Sequence, residues 1–571
     1  MLATLSLALF FGVALAYPHP DPDPISKTTS QHSVHLPTIT TPLGDVKGSI
    51  IISRLGKTIY SFRGLRYAKA PIKELRFQPP VPAEKWDGLF NATVDGAACP
   101  QPNVEQTSED CLFLNVYTTK VPKGNQDKEK RPVMVFLHHG DFYSNSGRST
   151  DIGPQYLLDQ EIVLVVPNYR LGTLGFLSTG DKEAPGNYGL KDQVQALKWV
   201  KDNIAAFGGN PDAVTIAGYC SGGASVSLHL VSPLSKGLFH KAIVMSGSVY
   251  GNWPLSNNQL DLAKKQAKLV GCSEETSADI VKCLREKPAD VIANTLPDFK
   301  EFAKEPVYHW SPVIEQDFGQ ARFLTAHPIE LVLKDKMEKV PVLVGMTADE
   351  FGGRAFDIVS NETVLAELDK EFEKWAPIVF MYERNSENSK VISKDLRSFY
   401  FSDKSIDKSS LPALAQLFSD ALVGFNVNRF VEVVAQKNEH VFYYNFNYKG
   451  RYSFFYLTDS NNTTPYGASH IDDLIYLFNF PKFPLFKETD SEAFMVEKMT
   501  TLWSNFVIHG VPIKEPCNLL DNVKWDPYTS KSQSYMDIGN KLLSHDKLLD
   551  ERYEEWRKLY PLSKYETAKM G

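Results

Sequence analysis

The chain has 571 residues, of which 43% are hydrophobic and 23% charged, and its formal net charge is -7. This is the composition of a globular protein, and so mild an acidic balance argues against nucleic acid or an anionic membrane as a partner. The length allows one large domain or several ordinary ones.

The amino terminus has the pattern of a secretory signal peptide. Residues 1–16 are almost wholly apolar and end in Ala14-Leu15-Ala16, a signal-peptidase pattern that predicts cleavage before Tyr17. A membrane anchor is the competing interpretation, but the run is too short to span a bilayer comfortably. Residues 17–36, rich in Pro, Asp, Ser and Thr, predict a flexible leader, and residues 561–571 predict a polar tail. We therefore expect a secreted protein with no membrane span.

The rest of the chain predicts a single α/β domain over residues 37–560. Residues 44–52 alternate in polarity, as an edge hairpin does. Compact apolar runs typical of buried strands alternate with amphipathic helical stretches, of which residues 190–207 are the clearest. The apolar runs are residues 132–137, 162–167, 241–245 and 340–344. Buried strands alternating with helices indicate a mostly parallel sheet covered on both faces.

Cysteine usage suits an oxidising compartment. Four of the six cysteines form two close pairs, Cys99 with Cys111 and Cys272 with Cys283. Disulfides are favoured over metal ligation because no pair has the Cys-x-x-Cys spacing of a metal site. Cys517 has no obvious partner, so it is either a buried thiol or an exposed one that could link two copies into a homodimer.

Four asparagines begin the Asn-x-Ser/Thr sequence that accepts N-linked glycans. They are Asn91, Asn361, Asn461 and Asn462. Glycosylation at these positions is predicted on surface loops of a secreted protein.

The segment 213–226 has the pattern of a nucleophile elbow. A β-branched run at 214–216 leads into a Gly-x-x-x-Gly turn, and small residues that begin a helix follow. Such a turn lifts one side chain above a parallel sheet. The central position of this turn normally holds serine, but here it holds Cys220, and a serine follows as Ser221.

Three further segments carry a family resemblance. Residues 108–117 (SEDCLFLNVY), 173–176 (TLGF) and 186–193 (GNYGLKDQ) resemble signature segments of the type-B carboxylesterase and cholinesterase family. The resemblance runs from about Pro42 to Trp556. It implies an α/β-hydrolase fold with a deep gorge above the elbow, carboxylic-ester hydrolysis without a cofactor or metal, and the disulfides Cys99–Cys111 and Cys272–Cys283.

The same resemblance implies a catalytic triad. Its members follow the order nucleophile, acid, histidine, which places Cys220 first, Glu350 (in GMTADEFG) second and His470 (in SHIDDL) third. A carboxylate bonded to the imidazole fixes its tautomer and stabilises the cation formed when the nucleophile loses its proton. Outside this context, a glutamate after a strand is more often a solvated or capping residue.

The elbow departs from the family at two positions. Cys220 replaces the serine, and Tyr219 replaces the acidic residue that commonly precedes it. The local string GYCSGG at 218–223 is similar to the elbow of dienelactone hydrolases, which use a cysteine nucleophile. A deprotonated thiol is a strong nucleophile, but a buried cysteine is often inert. A nucleophilic Ser221 conflicts with the elbow geometry, in which the following residue points away and supplies a backbone donor.

The predicted oxyanion hole also departs from the family. The family's His-Gly-Gly-Gly-Phe loop corresponds to residues 138–142 (HHGDF), and the predicted donors are the N–H groups of Gly140, Asp141 and Ser221. The Asp141 carboxylate would repel the oxyanion by about 4 kcal/mol at about 4 Å and an effective dielectric of about 20. Asp141 could avoid this by pairing with His139 or His470 or by being protonated, or it could act as a second base that directs water at an acyl intermediate.

Two functions are compatible with these residues. The first is a secreted hydrolase of small-molecule carboxylic esters. The second is a catalytically degenerate relative that binds a ligand or mediates adhesion, which the replacements at positions 139, 141, 219 and 220 favour. Because the interval between Cys99 and Cys111 contains no aromatic residue for a quaternary ammonium group, choline esters are argued against as substrates.

Overall fold

The computed structural model describes residues 36–566 except 105, 123–128, 254, 256–258, 308 and 458–459. The predicted signal peptide, nearly all of the predicted leader and the last five residues of the predicted tail lie outside this range. From Pro37 onward the described residues form one unit.

A large sheet runs through the centre of this unit. The described strands are β1 (Thr38–Thr41), β2 (Gly44–Lys47), β3 (Ser49–Ile52), β4 (Thr58–Arg66), β5 (Leu89–Asn91), β6 (Phe113–Thr118), β7 (Arg131–Leu137), β8 (Val163–Pro167), β9 (Gly209–Tyr219), β10 (Lys241–Met245), β11 (Val342–Thr347), β12 (Val441–Phe446), β13 (Ser534–Ile538) and β14 (Leu542–Asp546). Within the described residues, the large sheet has 11 strands in the order β14-β13-β12-β11-β10-β9-β7-β8-β6-β4-β3. From β13 to β8 in this order, all neighbouring strands pair in parallel. The outer strands β14, β6, β4 and β3 pair antiparallel with their neighbours.

Helices cover both faces of this sheet. The described α-helices are α1 (Gly172–Phe176), α2 (Tyr188–Asn203), α3 (Ser221–His229), α4 (Leu260–Leu269), α5 (Ser277–Glu286), α6 (Ala289–Ala293), α7 (Pro328–Leu333), α8 (Gly353–Val359), α9 (Glu362–Lys370), α10 (Phe372–Val379), α11 (Glu387–Phe401), α12 (Leu411–Ser419), α13 (Phe425–Val434), α14 (Ala493–His509), α15 (Asp550–Leu559) and α16 (Ser563–Glu566). Short 3-10 turns lie at Lys73–Leu75, Leu157–Asp159, Ile204–Phe207, Leu296–Phe299, Glu350–Gly352, Lys408–Ser410, Asp472–Tyr476 and Asn518–Leu520, and a π turn at Asp420–Gly424.

The apolar runs are continuous because the central strands are buried on both faces. In β7, Val133 and Val135 pack into one apolar core, whereas Met134 and Phe136 pack into the other. Alternate side chains of a strand point to opposite faces, so a strand between two cores has no polar side. The predicted α/β-hydrolase sheet is confirmed, with β7, β8, β10 and β11 at the four apolar runs.

The predicted hairpin at residues 44–52 is wrong in its pairing. Residues 44–47 form β2, which pairs with β1 and β5 in a separate small sheet, whereas residues 49–52 form β3, which pairs with β4 at the edge of the large sheet. Only Gly48 separates β2 from β3, and a hairpin needs a loop of at least about two residues. Alternating polarity indicated strands correctly, but it did not identify their partners.

Both expected disulfides are present. Cys99 and Cys111 are bonded with a Cα–Cα distance of 5.0 Å, and Cys272 and Cys283 with a distance of 5.8 Å. Of the other two cysteines, Cys220 is buried and Cys517 is exposed. A linkage between copies through Cys517 stays a prediction.

The predicted glycosylation sites lie on the surface of the protein. The four sequon asparagines are all exposed: Asn91, Asn361, Asn461 and Asn462. Asn361 also caps α9, since its side chain accepts the N–H of Val364 at 3.2 Å. In the part of the chain that the structure describes, no helix has the length and apolarity needed to cross a bilayer.

Candidate active site

Cys220 lies at the sharp turn between β9 and α3. Its backbone has φ 54° and ψ -118°, a conformation that is rare for a residue with a side chain and typical of strained functional turns. The turn depends on glycine, because a Cβ on Gly218 would lie 2.4 Å from Gly222 and a Cβ on Gly222 would lie 2.1 Å from the carbonyl oxygen of Leu137. The predicted elbow is therefore formed by these residues, with Cys220 at its apex.

The position of Cys220 favours negative charge on its sulfur. The residue immediately precedes α3, and the amino-terminal end of a helix carries a partial positive charge. The thiolate, which is the nucleophilic form of cysteine, is the form that this partial charge attracts.

Glu350 holds His470 in a fixed orientation. The carboxylate of Glu350, which is 2% exposed, bonds to Nδ1 of His470 through Oε2. Its other oxygen accepts the N–H of Thr347 at 2.8 Å, and its carbonyl oxygen accepts the backbone N–H of His470 at 3.1 Å. Phe351 stacks on the imidazole with ring centroids 4.2 Å apart. The imidazole is thus fixed through both its ring and its backbone.

The imidazole of His470 is electrostatically coupled to both predicted partners. Burial lowers the pKa of His470, but the Glu350 carboxylate and the Cys220 thiol outweigh burial and raise the pKa well above 6.5. An opposite charge within a few ångströms favours the protonated ring. The arrangement therefore favours an imidazolium beside Cys220.

Asp141 contacts the candidate nucleophile directly. The thiol of Cys220 donates to Oδ1 of Asp141, with a sulfur–oxygen distance of 3.2 Å. The loop is strained at this point, since Asp141 has φ 56° and Phe142 has φ 62°, in the left-handed region that glycine adopts most readily. The family resemblance places a glycine at position 141, and the backbone keeps a conformation suited to one.

His139 does not pair with Asp141. Its Nε2 accepts a hydrogen bond from Nδ2 of Asn145 at 2.6 Å, and burial lowers the pKa of His139 to about 3, helped by His138 and His470. The ring is therefore neutral near pH 7 and supplies no positive charge to the Asp141 carboxylate. The sequence suggested His139 or His470 as the partner of Asp141. His139 bonds Asn145 and His470 bonds Glu350, and the Asp141 carboxylate accepts a hydrogen bond from the Cys220 thiol.

Ser221 is fully buried within the start of α3. Its side chain lies near that of Tyr169, and the residue is absent from the walls of the cleft that Cys220 lines. The position disfavours Ser221 as the nucleophile and leaves its backbone N–H next to Cys220.

A cleft of about 550 Å³ opens onto these residues. Its walls are formed by Ala98, Gln101, Val104, His139, Gly140, Asp141, Ser144, Asn145, Ser146, Arg148, Asp151, Cys220, Phe351, Phe454, His470 and Ile471. One side is polar, whereas the side formed by Phe351, Phe454 and Ile471 is apolar. Volume and lining suit a small ligand with both a polar and an apolar part. Among the described residues, no group of three or more His, Cys, Asp and Glu side chains is arranged to hold a metal ion.

Two buried carboxyl groups behind His470 were not singled out from the sequence. Burial raises the pKa of Asp472 to about 7 and that of Asp473 to about 8, and the Glu350 carboxylate adds to the shift of Asp473. Asp472 accepts hydrogen bonds from Ser453, Phe454 and Ser469. The doublet Asp472-Asp473, which begins two residues after His470, was the available signal, but carboxylates in a loop are usually solvated.

Replacement of Asp473 by asparagine is expected to flatten the pH dependence of stability. The pKa of Asp473 is raised from 3.8 to about 8 in the folded protein, so its contribution to the free energy of unfolding is full below about pH 4 and is lost as the pH rises to about 8. Asparagine cannot ionise, so the free energy of unfolding of Asp473→Asn should rise relative to that of wild type by a few kcal/mol between pH 4 and pH 8. Denaturant unfolding at pH 4, 6 and 8 measures it, with the exposed Asp526→Asn as control. A difference in unfolding free energy that stays constant from pH 4 to pH 8 contradicts the raised pKa of Asp473.

The combination of fold and site defines a class of protein. A mostly parallel sheet carries a strained strand-to-helix turn with Cys220 at its apex, and a buried carboxylate–histidine pair lies beside it, which is the arrangement of an α/β-hydrolase. A family model described as "Carboxylesterase family" matches residues 35–556. The chain belongs to the carboxylesterase family.

Similar proteins include several esterases. The chain is 39% identical to juvenile hormone esterase of Tribolium castaneum over 530 residues, which cover 89% of each protein. It is 37% identical to esterase FE4 of Myzus persicae, over 84% of this chain and 85% of that protein. Among solved structures, the crystal structure of juvenile hormone esterase from Manduca sexta, with OTFP covalently attached, is similar with a TM-score of 0.80 and 27% identity, covering 92% of this chain and 99% of that one.

Proposed function

We propose that this protein is a secreted carboxylic-ester hydrolase in which Cys220 is the nucleophile, His470 the general base and acid, and Glu350 the residue that orients the histidine. The observation that carries the proposal is the contiguous arrangement of Cys220 at the elbow, His470 beside it and Glu350 bonded to Nδ1. The family match and the esterases among the similar proteins support the reaction class, whereas the nucleophile is inferred from this chain's own residues.

The first step transfers the acyl group to the sulfur. The proton of the Cys220 thiol resides on His470, as the imidazolium that the site favours, and the thiolate attacks the ester carbonyl carbon, so a carbon–sulfur bond forms. The carbonyl oxygen becomes an oxyanion, for which we propose the backbone N–H groups of Gly140, Asp141 and Ser221 as donors. The carbon–oxygen bond to the alcohol then breaks, and the imidazolium of His470 gives its proton to the departing alkoxide.

The second step returns the thiol. Water attacks the thioester carbonyl carbon while a base takes one of its protons, the carbon–sulfur bond breaks, the carboxylic acid leaves, and the protonated base returns its proton to the sulfur. We propose that Asp141 assists His470 as a base here, because its carboxylate oxygen lies 3.2 Å from the sulfur that carries the acyl group. The same negative charge opposes the oxyanion that forms in each step, so Asp141 slows acyl transfer, whereas in water attack its action as a base outweighs this repulsion.

Turnover of a simple ester tests the reaction class. Purified protein with its thiols reduced and its disulfides intact should release p-nitrophenol from p-nitrophenyl acetate in repeated turnovers. The matched preparation, blocked with iodoacetamide, should be inactive. Lack of turnover by folded, unblocked protein on a panel of aryl and alkyl esters contradicts the proposed activity.

Replacement of Asp141 by asparagine is expected to change the two steps in opposite directions. Asparagine tolerates the left-handed backbone at this position and removes the charge, so acyl transfer should become faster and water attack about tenfold slower or more. Rapid-quench kinetics with p-nitrophenyl acetate should then show a larger burst and more acyl-enzyme at steady state. Asp141→Gly serves as the companion variant, since it suits the same backbone. Unchanged or faster deacylation in both variants excludes Asp141 as a base.

The Asp141 contact also supports a second candidate function. A carboxylate beside the sulfur opposes both the thiolate and the oxyanion, which is expected in a relative that binds a ligand or mediates adhesion without hydrolysing an ester. Tight binding of uncleaved esters in the absence of turnover by wild type and by Asp141→Asn would favour this candidate.

We propose that the protein acts outside the cell. The predicted signal peptide at residues 1–16, the two disulfides and the four exposed sequons support export. Glycans at Asn91, Asn361, Asn461 and Asn462 are part of this proposal. Expression in a eukaryotic host tests it: the protein should appear in the medium, and a glycosidase should reduce its mass.

A further inference from the structure

Tyr219 connects the nucleophile strand to the histidine loop. It is the last residue of β9, directly before Cys220, and its side chain is fully buried. Its hydroxyl oxygen accepts the backbone N–H of Ile471 at 2.7 Å, a contact between residues 252 positions apart in the chain. Ile471 directly follows His470, so this one hydrogen bond joins the neighbours of the proposed nucleophile and base.

The backbone that Tyr219 holds is strained. Ile471 has φ 80° and ψ -10°, in the left-handed region. A β-branched residue rarely adopts this conformation, and such outliers persist only where surrounding contacts enforce them. The hydrogen bond to Tyr219 is one such contact, and its loss would make this backbone conformation of Ile471 less stable.

The histidine is held from both sides along its backbone. The N–H of His470 bonds the carbonyl oxygen of Glu350 at 3.1 Å, and the next N–H bonds Tyr219. The rings of Tyr219 and His470 also pack together, with centroids 5.0 Å apart. Because the imidazole is tethered to Glu350 at Nδ1, a shift of Ile471 would rotate the ring relative to Cys220.

Tyrosine fulfils this role without adding a charge. Burial raises the pKa of Tyr219 well above 10, and the neighbouring carboxyl groups of Asp473 and Glu350 raise it further. The hydroxyl is therefore neutral near pH 7. An ionised acid at position 219 would instead add negative charge beside the Cys220–His470 pair, whose sulfur already contacts Asp141.

We propose that Tyr219 is a positioning residue: by accepting the N–H of Ile471, its hydroxyl fixes the imidazole of His470 against Cys220. The proposal rests on the proposed role of His470 as the partner of Cys220. Tyrosine supplies this acceptor without the negative charge of the acidic residue that is common at this position in the family.

Deletion of the single hydroxyl tests this role. We expect Tyr219→Phe to lower kcat for p-nitrophenyl acetate about tenfold to a hundredfold and to change KM by less than about twofold, because the base is displaced while the cleft is kept. The matched control is Tyr444→Phe, which removes a buried hydroxyl that lies on the neighbouring Asp473 rather than on Ile471. It should change kcat by less than about twofold.

A second readout does not depend on ester turnover. In a Cys517→Ala background, Cys220 is the cysteine thiol that iodoacetamide can alkylate. The rate of this alkylation below pH 8 measures how strongly the imidazole of His470 favours the thiolate. Tyr219→Phe should lower this rate about tenfold at pH 7, whereas Tyr444→Phe should not change it. Thermal unfolding shows whether each variant is folded.

The outcomes separate this proposal from the proposed function. If wild type hydrolyses no ester but Tyr219→Phe still slows alkylation, the hydrolase proposal fails and the positioning role stands. If Tyr219→Phe leaves kcat and alkylation unchanged, or if Tyr444→Phe lowers both to the same extent, Tyr219 is not a positioning residue.

Discussion

Replacement of Cys220 by alanine is expected to lower ester hydrolysis about a thousandfold or more. The substitution removes the proposed nucleophile and leaves the cleft and the Glu350–His470 bond in place, and loss of a catalytic nucleophile has effects of this size or larger. Initial rates with p-nitrophenyl acetate measure the loss. The matched control is Cys517→Ala, which removes an exposed thiol and should keep full activity.

A serine at position 220 separates the nucleophile from its surroundings. If Cys220→Ser is strongly active, the cleft and oxyanion donors are intact and the cysteine alone distinguishes this site. If Cys220→Ala retains more than about a tenth of the wild-type activity, another residue carries the reaction and the proposed mechanism is wrong.

Replacement of Glu350 by glutamine is expected to lower kcat by about 10⁴. Glutamine has the same shape and can still accept the N–H of Thr347, but its amide group favours the wrong tautomer of His470 and does not stabilise the imidazolium. Steady-state kinetics should show the loss mainly in kcat.

The neighbouring residue provides the control for Glu350. Asp349 accepts the N–H of Ala468 and does not contact the imidazole, so Asp349→Asn should change kcat only a few-fold. Equal losses in the two variants would mean that the loop, rather than the Glu350 carboxylate, determines the activity.

The central fold could be predicted because its signals are local. Strands that are buried on both faces require continuous apolar runs. The elbow requires small residues where backbones approach closely, because a Cβ on Gly222 would lie 2.1 Å from the carbonyl oxygen of Leu137. The pairing of residues 44–52 failed because partner choice depends on loop length, and the single residue Gly48 is too short a connection for a hairpin.

The hydrogen-bond partners of the side chains around Cys220 could not be predicted in the same way. From the sequence, His139 and His470 were the available partners for Asp141, but His139 bonds Asn145 and His470 bonds Glu350. Those choices depend on how the loop after β7 folds back over the elbow. The bond between Tyr219 and Ile471 likewise joins distant parts of the chain, so no local pattern indicated it.

The central claim is that the acyl group passes through the sulfur of Cys220. The most direct measurement is peptide mass spectrometry of protein quenched in acid during turnover of p-nitrophenyl acetate, with Asp141→Asn included to increase the amount of acyl-enzyme. We predict one acetyl group on the peptide that contains Cys220, removed by neutral hydroxylamine as a thioester is, and absent from Cys220→Ala. Turnover with the acetyl group on Ser221 or another residue, or with no acetylated peptide in either protein, would contradict the account.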